Sequence, residues 1–197
     1  MGDRIVVLGM MASGKTTVGQ ALARELGRPY LDNDELLERA TGRTAREIAH
    51  EGSTASMRAA ERAALEEAGR IDEPVVVGAA GGTVLDPADR ALLRKTGRVV
   101  WLRARPETLL ARVLKDAATD TGGHRPWVDD TPAAADAWIR REVEQRARLY
   151  ATVADLIVDV ERADGSSKAP DEIAAEIATA LGEQPTGPRE QPGGDAV

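Results

Sequence analysis

Short apolar runs alternate with amphipathic segments along most of the chain. Runs that are typical of buried strands lie at Arg4–Leu8, Pro29–Leu31, Pro74–Gly78, Arg98–Leu102 and Asp155–Val160. Between them the apolar residues recur every three or four positions, which predicts helices. The predicted helices span residues 15–26, 34–41, 44–51, 54–70, 87–95, 106–117, 132–152 and 170–181. Strands that alternate with helices favour a parallel sheet covered on both faces, so the pattern predicts an α/β fold.

Polar residues and prolines mark the ends of the predicted elements. Thr44 and Glu47 have the spacing of a capping box. Asp86-Pro87 and Thr131-Pro132 each place a capping residue before a proline that fits the first helical turn. After Leu181 the chain contains almost nothing apolar to bury. We therefore expect one domain over residues 1–181 and a disordered tail over residues 182–197.

Composition narrows the classes of protein that this pattern allows. A length of 197 residues suits a single domain. The net charge of −7 argues against a nucleic-acid partner and against an anionic membrane surface. The lack of cysteine excludes disulfides, and the two histidines, His50 and His124, are too far apart in sequence to suggest a zinc cluster. Because no apolar run is long enough to span a bilayer, we expect a cytoplasmic protein. We also expect a monomer whose partners are small molecules.

The most specific motif lies between the first predicted strand and the first predicted helix. Residues 9–16 have the pattern G-x-x-x-x-G-K-T of the phosphate-binding P-loop. In such a loop the backbone N–H groups face a phosphate, Lys15 reaches the outer phosphates and Thr16 ligates Mg²⁺. A glycine turn before a surface helix is the alternative, which the flanking strand and helix disfavour. The predicted nucleotide-binding residues of the loop are Ala12, Ser13, Gly14, Lys15, Thr16 and Thr17.

Two carboxylates follow the second predicted strand. If the strand continued through Asp34, the side chains of Asp32 and Asp34 would both point toward the P-loop. Asp32 would then help to hold Mg²⁺ through water, and Asp34 would orient and deprotonate an acceptor hydroxyl. The alternative is that Asp34 only caps the helix that follows. The P-loop upstream favours the functional interpretation.

Other stretches have two interpretations when the residues are considered alone. Arg58 and Glu61 share a helix face, so a surface ion pair is an ordinary explanation. Gly81 and Gly82 could let a ligand approach the backbone, or could make a tight turn. The charged segment 140–150 has the composition of a solvated helix face.

A polar, glycine-rich segment follows the sixth predicted helix. This composition indicates a mobile lid over residues 113–130. Such a lid would exclude water from a phosphate site. Lids of this kind carry an arginine that neutralises charge on the transferred group, and Arg125 is the candidate.

In their order along the chain, these motifs resemble those of the shikimate kinases. The resemblance covers nearly the whole chain before the tail. It implies a three-layer αβα P-loop kinase fold with a five-stranded parallel sheet and a mobile lid. It also implies that the chain uses ATP and Mg²⁺ to phosphorylate the 3-hydroxyl of shikimate, a reaction of aromatic amino-acid biosynthesis. The resemblance rests on the P-loop through Gly19, Leu31 to Asp34, Gly52 to Arg58 with Glu61, Gly81-Gly82, Arg125-Pro126 and Arg146 to Tyr150.

The resemblance implies a role for each matching residue. Arg58 and Arg146 would bind the substrate carboxylate, and Asp34 would hydrogen-bond the ring hydroxyls and act as the base. Backbone N–H groups of the glycine pair would meet the substrate and the γ-phosphate, and Arg112 would pack on the adenine. The implied catalytic residues are Lys15, Asp34 and Arg125. Beyond the P-loop, the implied nucleotide ligands are Arg112 and Arg125, and the implied metal ligands are Thr16 and Asp32. The implied substrate ligands are Asp34, Arg58, Gly81, Gly82 and Arg146.

Five positions depart from the family pattern, and one of them is Trp127, which follows Pro126 where leucine is usual. Ala12 stands where a glycine or another small residue is usual, which we expect to be tolerated if its φ angle stays negative. Ala80 replaces the first glycine of a three-glycine run. Met57 and Ala49 replace phenylalanines of the substrate pocket, which makes its wall smaller and softer. Two alternatives therefore stay open: a kinase of the same fold for another small hydroxylated acid or sugar acid, and a nucleotide-binding module without transfer activity.

Overall fold

The computed structural model describes residues 3–50, 53–118 and 131–184. Five strands and eight α-helices occur in this part of the chain. The strands are β1 (Arg4–Gly9), β2 (Tyr30–Leu31), β3 (Val75–Gly78), β4 (Arg98–Arg103) and β5 (Leu156–Asp159). The helices are α1 (Lys15–Leu26), α2 (Asn33–Thr41), α3 (Ala45–His50), α4 (Thr54–Gly69), α5 (Pro87–Thr96), α6 (Pro106–Ala118), α7 (Pro132–Val153) and α8 (Pro170–Ala180), with a 3-10 helix at Gly81–Leu85.

The strands form one parallel sheet in the order β2-β3-β1-β4-β5. Strand β1 lies at its centre, where Val6 is in register with Val77 of β3 and Val99 of β4. All six residues of β1 are buried, because neighbouring strands and helices cover both edges and both faces. The predicted five-stranded parallel sheet is confirmed, and its central strand leads directly into the P-loop.

Helices cover both faces of the sheet. Alternate side chains of β1 point to opposite faces: Ile5 and Val7 pack with α1 and α8, whereas Val6 and Leu8 pack with residues of α5, α6 and α7. Helices α2 and α4 enclose a third cluster with β2 and β3. The predicted three-layer αβα arrangement is therefore confirmed.

The predicted helix starts are present at the level of hydrogen bonds. The Glu47 backbone N–H donates to the Thr44 hydroxyl at 3.2 Å, and the Thr44 N–H donates to the Glu47 carboxylate at 2.7 Å. This reciprocal pair is the predicted capping box. Asp86 accepts from the Ala88 N–H, and Thr131 accepts from the Ala134 N–H. These three helices begin where the sequence indicates.

Some expected features fall at the limits of the described residues. The expected lid over residues 113–130 lies mostly outside them, and so does Arg125. Residues 182–184 are described, and the Glu183 carboxylate pairs with Arg28 at 2.5 Å and with Arg98.

In the described parts of the chain, no helix has the length and apolar character needed to cross a membrane.

Candidate active site

The P-loop connects the carboxyl end of the central strand to the N-terminus of α1. Gly14 occupies the N-cap position of α1 with a φ angle of 95°, a left-handed conformation that favours glycine. Glycine has no side chain to occupy the first N–H groups of the helix, so these donors and the positive end of the helix dipole are available to an anion. The loop therefore has the geometry of a phosphate site.

Lys15 lies at the start of α1 and folds over this loop. Its Nζ donates to the carbonyl oxygens of Gly9 and Met10 at 3.2 and 3.1 Å. Burial of the ammonium group lowers the pKa of Lys15 from 10.5 to about 8. The loop thus holds a cation whose charge is only partly solvated.

Charged groups from other elements lie within electrostatic range of Lys15. The carboxylates of Asp32, Asp34 and Glu61 raise the pKa of Lys15 against the effect of burial, and the Arg146 guanidinium lowers it further. These groups come from the β2–α2 junction, α4 and α7. The structure therefore brings the two predicted aspartates and one predicted substrate-binding arginine to the same end of the sheet as the P-loop lysine.

Ala12 has a positive φ angle of 59°, so the condition under which we expect alanine to be tolerated here, a negative φ angle, is not met. The tight turn of the P-loop requires a left-handed residue here, and the Cβ of alanine makes that conformation unfavourable by about 1 kcal/mol. The Ala12 carbonyl accepts a hydrogen bond from Arg112 Nη1 at 3.1 Å. Arg112 of α6 therefore lies against the P-loop, on the side predicted to bind the nucleotide.

The carboxylate of Asp32 is fixed by three donors. Its Oδ2 accepts from the Thr16 hydroxyl at 2.9 Å and from the Tyr30 hydroxyl at 2.9 Å. Its Oδ1 accepts from the Asp34 backbone N–H at 3.3 Å, which makes Asp32 the N-cap of α2. The two predicted metal ligands, Thr16 and Asp32, are thus in direct contact.

The condition under which Asp32 and Asp34 would point the same way, a strand that continues through Asp34, is not met. Strand β2 ends at Leu31, and Asp34 lies in the first turn of α2 because Asp32 caps that helix. The alternative in which Asp34 caps the helix is wrong for the same reason. The Asp34 side chain is exposed and accepts a hydrogen bond from Asn33 Nδ2 at 3.2 Å. Its carboxylate is therefore accessible to a substrate.

Gly81 and Gly82 begin the 3-10 helix and pack closely against the P-loop and α4. A Cβ on Gly81 would lie 2.6 Å from the Gly9 carbonyl oxygen, and a Cβ on Gly82 would lie 1.6 Å from Arg58 Nη1. The two glycines therefore let the P-loop backbone and the Arg58 guanidinium approach this turn closely. The approach of a ligand to the same backbone stays a prediction. Ala80 has a φ angle of −61°, which alanine adopts without strain.

Arg58 and Glu61 form an ion pair at 2.5 Å. The Glu61 side chain is only 15% exposed, so the pair is more than a surface contact. Burial raises the pKa of Glu61, whereas the positive charges of Arg58 and Arg146 lower it. Glu61 therefore lies within electrostatic range of both predicted carboxylate-binding arginines.

Arg146 lies on a buried face of α7, so segment 140–150 is not simply a solvated helix face. The buried residues of α7 are Ala135, Ile139, Glu142, Arg146, Tyr150 and Val153. The Arg146 guanidinium pairs with Glu142 and lies 6.0 Å from the centre of the Trp138 ring. Its Nε has no hydrogen-bond partner within the described residues. A buried cation with a remaining donor is suited to an anionic ligand.

The structure adds two tyrosines to which the sequence analysis gave no role. Tyr30 donates to Asp32, as described above, and Tyr150 donates to the Gly81 carbonyl oxygen at 2.8 Å. Burial raises the pKa of both hydroxyl groups, to about 12 for Tyr150. The spacing of Glu142, Arg146 and Tyr150 along α7 was a usable signal, since residues four apart share a helix face. The position of Tyr30 could not be predicted in this way, because its contacts with Gly19 and Gly78 depend on how the strands are ordered in the sheet.

Sheet topology and site together define a class of protein. A P-loop at the carboxyl end of the central strand of a five-stranded parallel sheet is the arrangement of the P-loop kinase fold. The family model described as shikimate kinase matches residues 11–182. The chain belongs to the shikimate kinase family, as the resemblance in the sequence predicts.

Individual relatives agree with this assignment. The chain is 35% identical to the shikimate kinase of Moorella thermoacetica over 182 residues, which cover 92% of this chain and 95% of that protein. It is 35% identical to the shikimate kinase of Syntrophus aciditrophicus over 161 residues, 79% of this chain and 81% of that protein. The solved structure of shikimate kinase from Acinetobacter baumannii in complex with shikimate has a TM-score of 0.76 and 28% identity, and the match covers 92% and 93% of the two chains.

Proposed function

We propose that this chain transfers the γ-phosphate of ATP to the 3-hydroxyl of shikimate. One observation carries the proposal: Asp34, Glu61 and Arg146 lie within electrostatic range of the P-loop lysine, Lys15, and Arg58 pairs with Glu61. A phosphate-binding loop therefore adjoins two arginines suited to a carboxylate and a carboxylate suited to a hydroxyl. This combination fits an acceptor that is both a hydroxyl compound and a small carboxylic acid.

The nucleotide is assigned to the P-loop side of the site. Backbone N–H groups of residues 12–17 would bind the phosphates, Lys15 would neutralise the outer ones, and Arg112 would lie beside the base. The position of Arg112 against the Ala12 carbonyl supports its role. We keep Arg125 as the arginine that neutralises the transferred group, although it lies outside the described residues.

The residues present fit a magnesium ion. The Thr16 hydroxyl and the Asp32 carboxylate are hard oxygen donors 2.9 Å apart. In the described parts of the chain, no group of three or more His, Cys, Asp and Glu side chains could hold a metal. Mg²⁺ in kinases takes its remaining ligands from nucleotide phosphates and water. When bound, the ion would neutralise charge on the phosphates, while Thr16 would bind it directly and Asp32 through water.

The acceptor is assigned to the side formed by α4, α7 and the glycine pair. The planar guanidinium groups of Arg58 and Arg146 suit bidentate binding of a carboxylate. Gly82 lets Arg58 lie against the backbone, and Gly81 brings the same turn against the P-loop. The acceptor would therefore bind within reach of the terminal phosphate.

The reaction follows from these placements. The 3-hydroxyl oxygen forms a bond to the γ-phosphorus, the bond between that phosphorus and the β,γ-bridging oxygen breaks, and ADP leaves. Asp34 accepts the proton of the hydroxyl as the new bond forms. Lys15 is protonated below its pKa of about 8, so it can balance the negative charge on the transferred group near neutral pH.

A second acceptor class has some support in the pocket wall. Ala80 lines a small cavity with Asn33, Glu61 and Thr83, and Met57 is only partly buried at the edge of the α2–α4 cluster. Ala80 replaces a glycine of the family pattern and Met57 replaces a phenylalanine, so the pocket wall has a different shape. Another hydroxylated acid could therefore be accommodated.

An acceptor panel tests the proposal. Purified protein with ATP and Mg²⁺ is assayed for ADP formation with shikimate, quinate, gluconate and no acceptor. Turnover that depends on shikimate supports the proposal. Turnover with gluconate alone would favour the second class, and a rate that no acceptor increases would leave a nucleotide-binding module.

We further propose that the chain acts as a monomer in the cytoplasm. The sequence contains no cysteine that an oxidising compartment would pair, which supports the cytoplasm. Light scattering after size exclusion tests the first point, because a monomer has a mass of 20.9 kDa.

A further inference from the structure

The sequence contains two tyrosines, and each hydroxyl group donates to a different residue of the site. Tyr30 donates to Asp32 on the side assigned to the nucleotide. Tyr150 donates to Gly81 on the side assigned to the acceptor. We propose that these two hydroxyl groups are positioning groups, one for each half of the site. This inference rests on the proposed function, since it assigns each tyrosine to one of the two substrates.

Tyr30 is held in a slot made by two glycines. A Cβ on Gly19 of α1 would lie 2.3 Å from Tyr30 Cε2, and a Cβ on Gly78 of β3 would lie 2.4 Å from the Tyr30 hydroxyl oxygen. The Tyr30 ring therefore occupies the space that a side chain at Gly19 or Gly78 would need. The slot fixes the direction of the hydroxyl, which is aimed at Asp32 Oδ2.

The orientation of Asp32 depends on this contact. Tyr30 and Thr16 share Oδ2 of Asp32, and the Asp34 N–H holds Oδ1. With the Tyr30 hydroxyl removed, the carboxylate keeps its cap contact but can rotate toward Thr16 or toward solvent. Tyr30 therefore sets how Thr16 and Asp32 are presented to a magnesium nucleotide.

Tyr150 makes a corresponding connection in the acceptor half. Its ring packs against Trp101 with centroids 5.4 Å apart, and its hydroxyl donates to the Gly81 carbonyl at 2.8 Å and lies 3.5 Å from Met10 Sδ. It therefore ties the glycine turn to the P-loop.

Tyr150 also lies one helical turn after Arg146 on the buried face of α7. The positive charge of Arg146 lowers the pKa of Tyr150 against the effect of burial, so the two groups lie within electrostatic range of each other. Tyr150 therefore joins the glycine turn to the helix that carries a carboxylate-binding arginine. Tyr150 is buried and has no assigned contact with a substrate, which makes it a positioning residue.

The variants Tyr30→Phe and Tyr150→Phe test the inference, and each serves as the matched control for the other. Both remove one hydroxyl and keep the ring, at a partly buried position for Tyr30 and at a buried position for Tyr150. Calorimetry measures the Kd of ADP with and without Mg²⁺, and the Kd of shikimate. The calorimetric stoichiometry corrects each Kd for any fraction that does not fold.

We expect crossed effects. Tyr30→Phe should reduce the gain in ADP affinity from Mg²⁺ by about threefold to tenfold and leave the Kd of shikimate unchanged. Tyr150→Phe should raise the Kd of shikimate by a similar factor and leave the effect of Mg²⁺ on ADP affinity unchanged. Equal changes in both ligands, or no change in either, would overturn the inference. If the unchanged protein does not bind shikimate, the proposed acceptor is wrong and the Tyr150 half fails with it. The magnesium effect on ADP judges the Tyr30 half independently.

Discussion

The guanidinium of Arg58 lies directly against the backbone of Gly82, where a Cβ would lie 1.6 Å from Arg58 Nη1. Gly82→Ala should therefore displace the guanidinium while leaving the fold intact, because the end of a flexible side chain can move. We expect the KM for shikimate to rise by about tenfold, as for the loss of one hydrogen bond to a charged group, with the KM for ATP unchanged. Steady-state kinetics with each substrate varied measure both.

Gly69→Ala is the matched control for this variant. Gly69 lies at the end of α4, the helix that carries Arg58, and a Cβ there would lie 3.9 Å from the Thr96 hydroxyl, an ordinary contact. Alanine should raise the free energy of unfolding by up to about 1 kcal/mol and leave both KM values unchanged. Similar losses in the two variants would show that any glycine replacement near α4 disturbs the site, and would remove the specific role of Gly82.

Asp34→Asn should lower kcat by about 10²- to 10⁴-fold, because an amide cannot accept the proton of the acceptor hydroxyl. ADP should still bind with unchanged affinity. Asp32, rather than Asp34, caps α2, so the melting temperature should change little. Single-turnover kinetics and calorimetry with ADP measure these effects. Retention of the full kcat would remove Asp34 from the role of base.

The fold and the family were readable from local sequence signals. The P-loop pattern, the apolar strands and the caps at Thr44, Asp86 and Thr131 each depend on a few neighbouring residues. Local signals of this kind specify elements and the order in which they occur. The αβα layers and the parallel sheet then follow from the alternation of strands and helices.

Errors arose where a side chain's role depends on distant parts of the chain. The end of β2 at Leu31 agrees with the prediction, but α2 begins at Asn33, one residue earlier than predicted, so Asp32 rather than Asp34 is its cap. The contacts of Tyr30 with Gly19 and Gly78 join three elements that are far apart in sequence. The positive φ angle of Ala12 depends on the tight path of the loop, which apolar periodicity does not report.

Arg58→Lys and Arg146→Lys should each raise the Kd of shikimate by about tenfold or more, because a lysine ammonium cannot replace a bidentate guanidinium. The Kd of ADP should stay within about twofold, because neither arginine is assigned to the nucleotide. Calorimetry with each ligand measures both values.

Arg140→Lys provides the control for these arginine variants. Arg140 lies on α7 like Arg146, but its side chain is half exposed and pairs with Asp136 and Glu107. We expect both Kd values to stay unchanged. If Arg146→Lys weakened ADP and shikimate equally, that arginine would belong to the nucleotide half of the site.

Ala12 and Ala80 give a matched pair of alanine-to-glycine variants with opposite expectations. Ala12 has a φ angle of 59°, so Ala12→Gly should raise the free energy of unfolding by up to about 1 kcal/mol, because the relief of about 1 to 2 kcal/mol of backbone strain exceeds the cost of greater freedom in the unfolded chain. Ala80 has a φ angle of −61°, so Ala80→Gly should lower it by about 0.4 to 1 kcal/mol through the greater freedom of the unfolded chain. Urea denaturation measures both. Changes of the same sign would show that backbone conformation does not control these two positions.

Lys15→Met should make the stability of the folded protein less dependent on alkaline pH. Burial lowers the pKa of Lys15 from 10.5 to about 8, so between these values the unfolded chain binds a proton that the folded protein has released. The free energy of unfolding contributed by Lys15 therefore rises with pH over this window, and its destabilising effect is complete below pH 8. Methionine removes the charge, so the variant should gain most over the unchanged protein at pH 7 and progressively less as the pH approaches 10. Urea denaturation at several pH values measures this difference, with Lys95→Met on the exposed side of α5 as the control. A difference that stays constant with pH would show that the ammonium group of Lys15 is solvated in the folded protein.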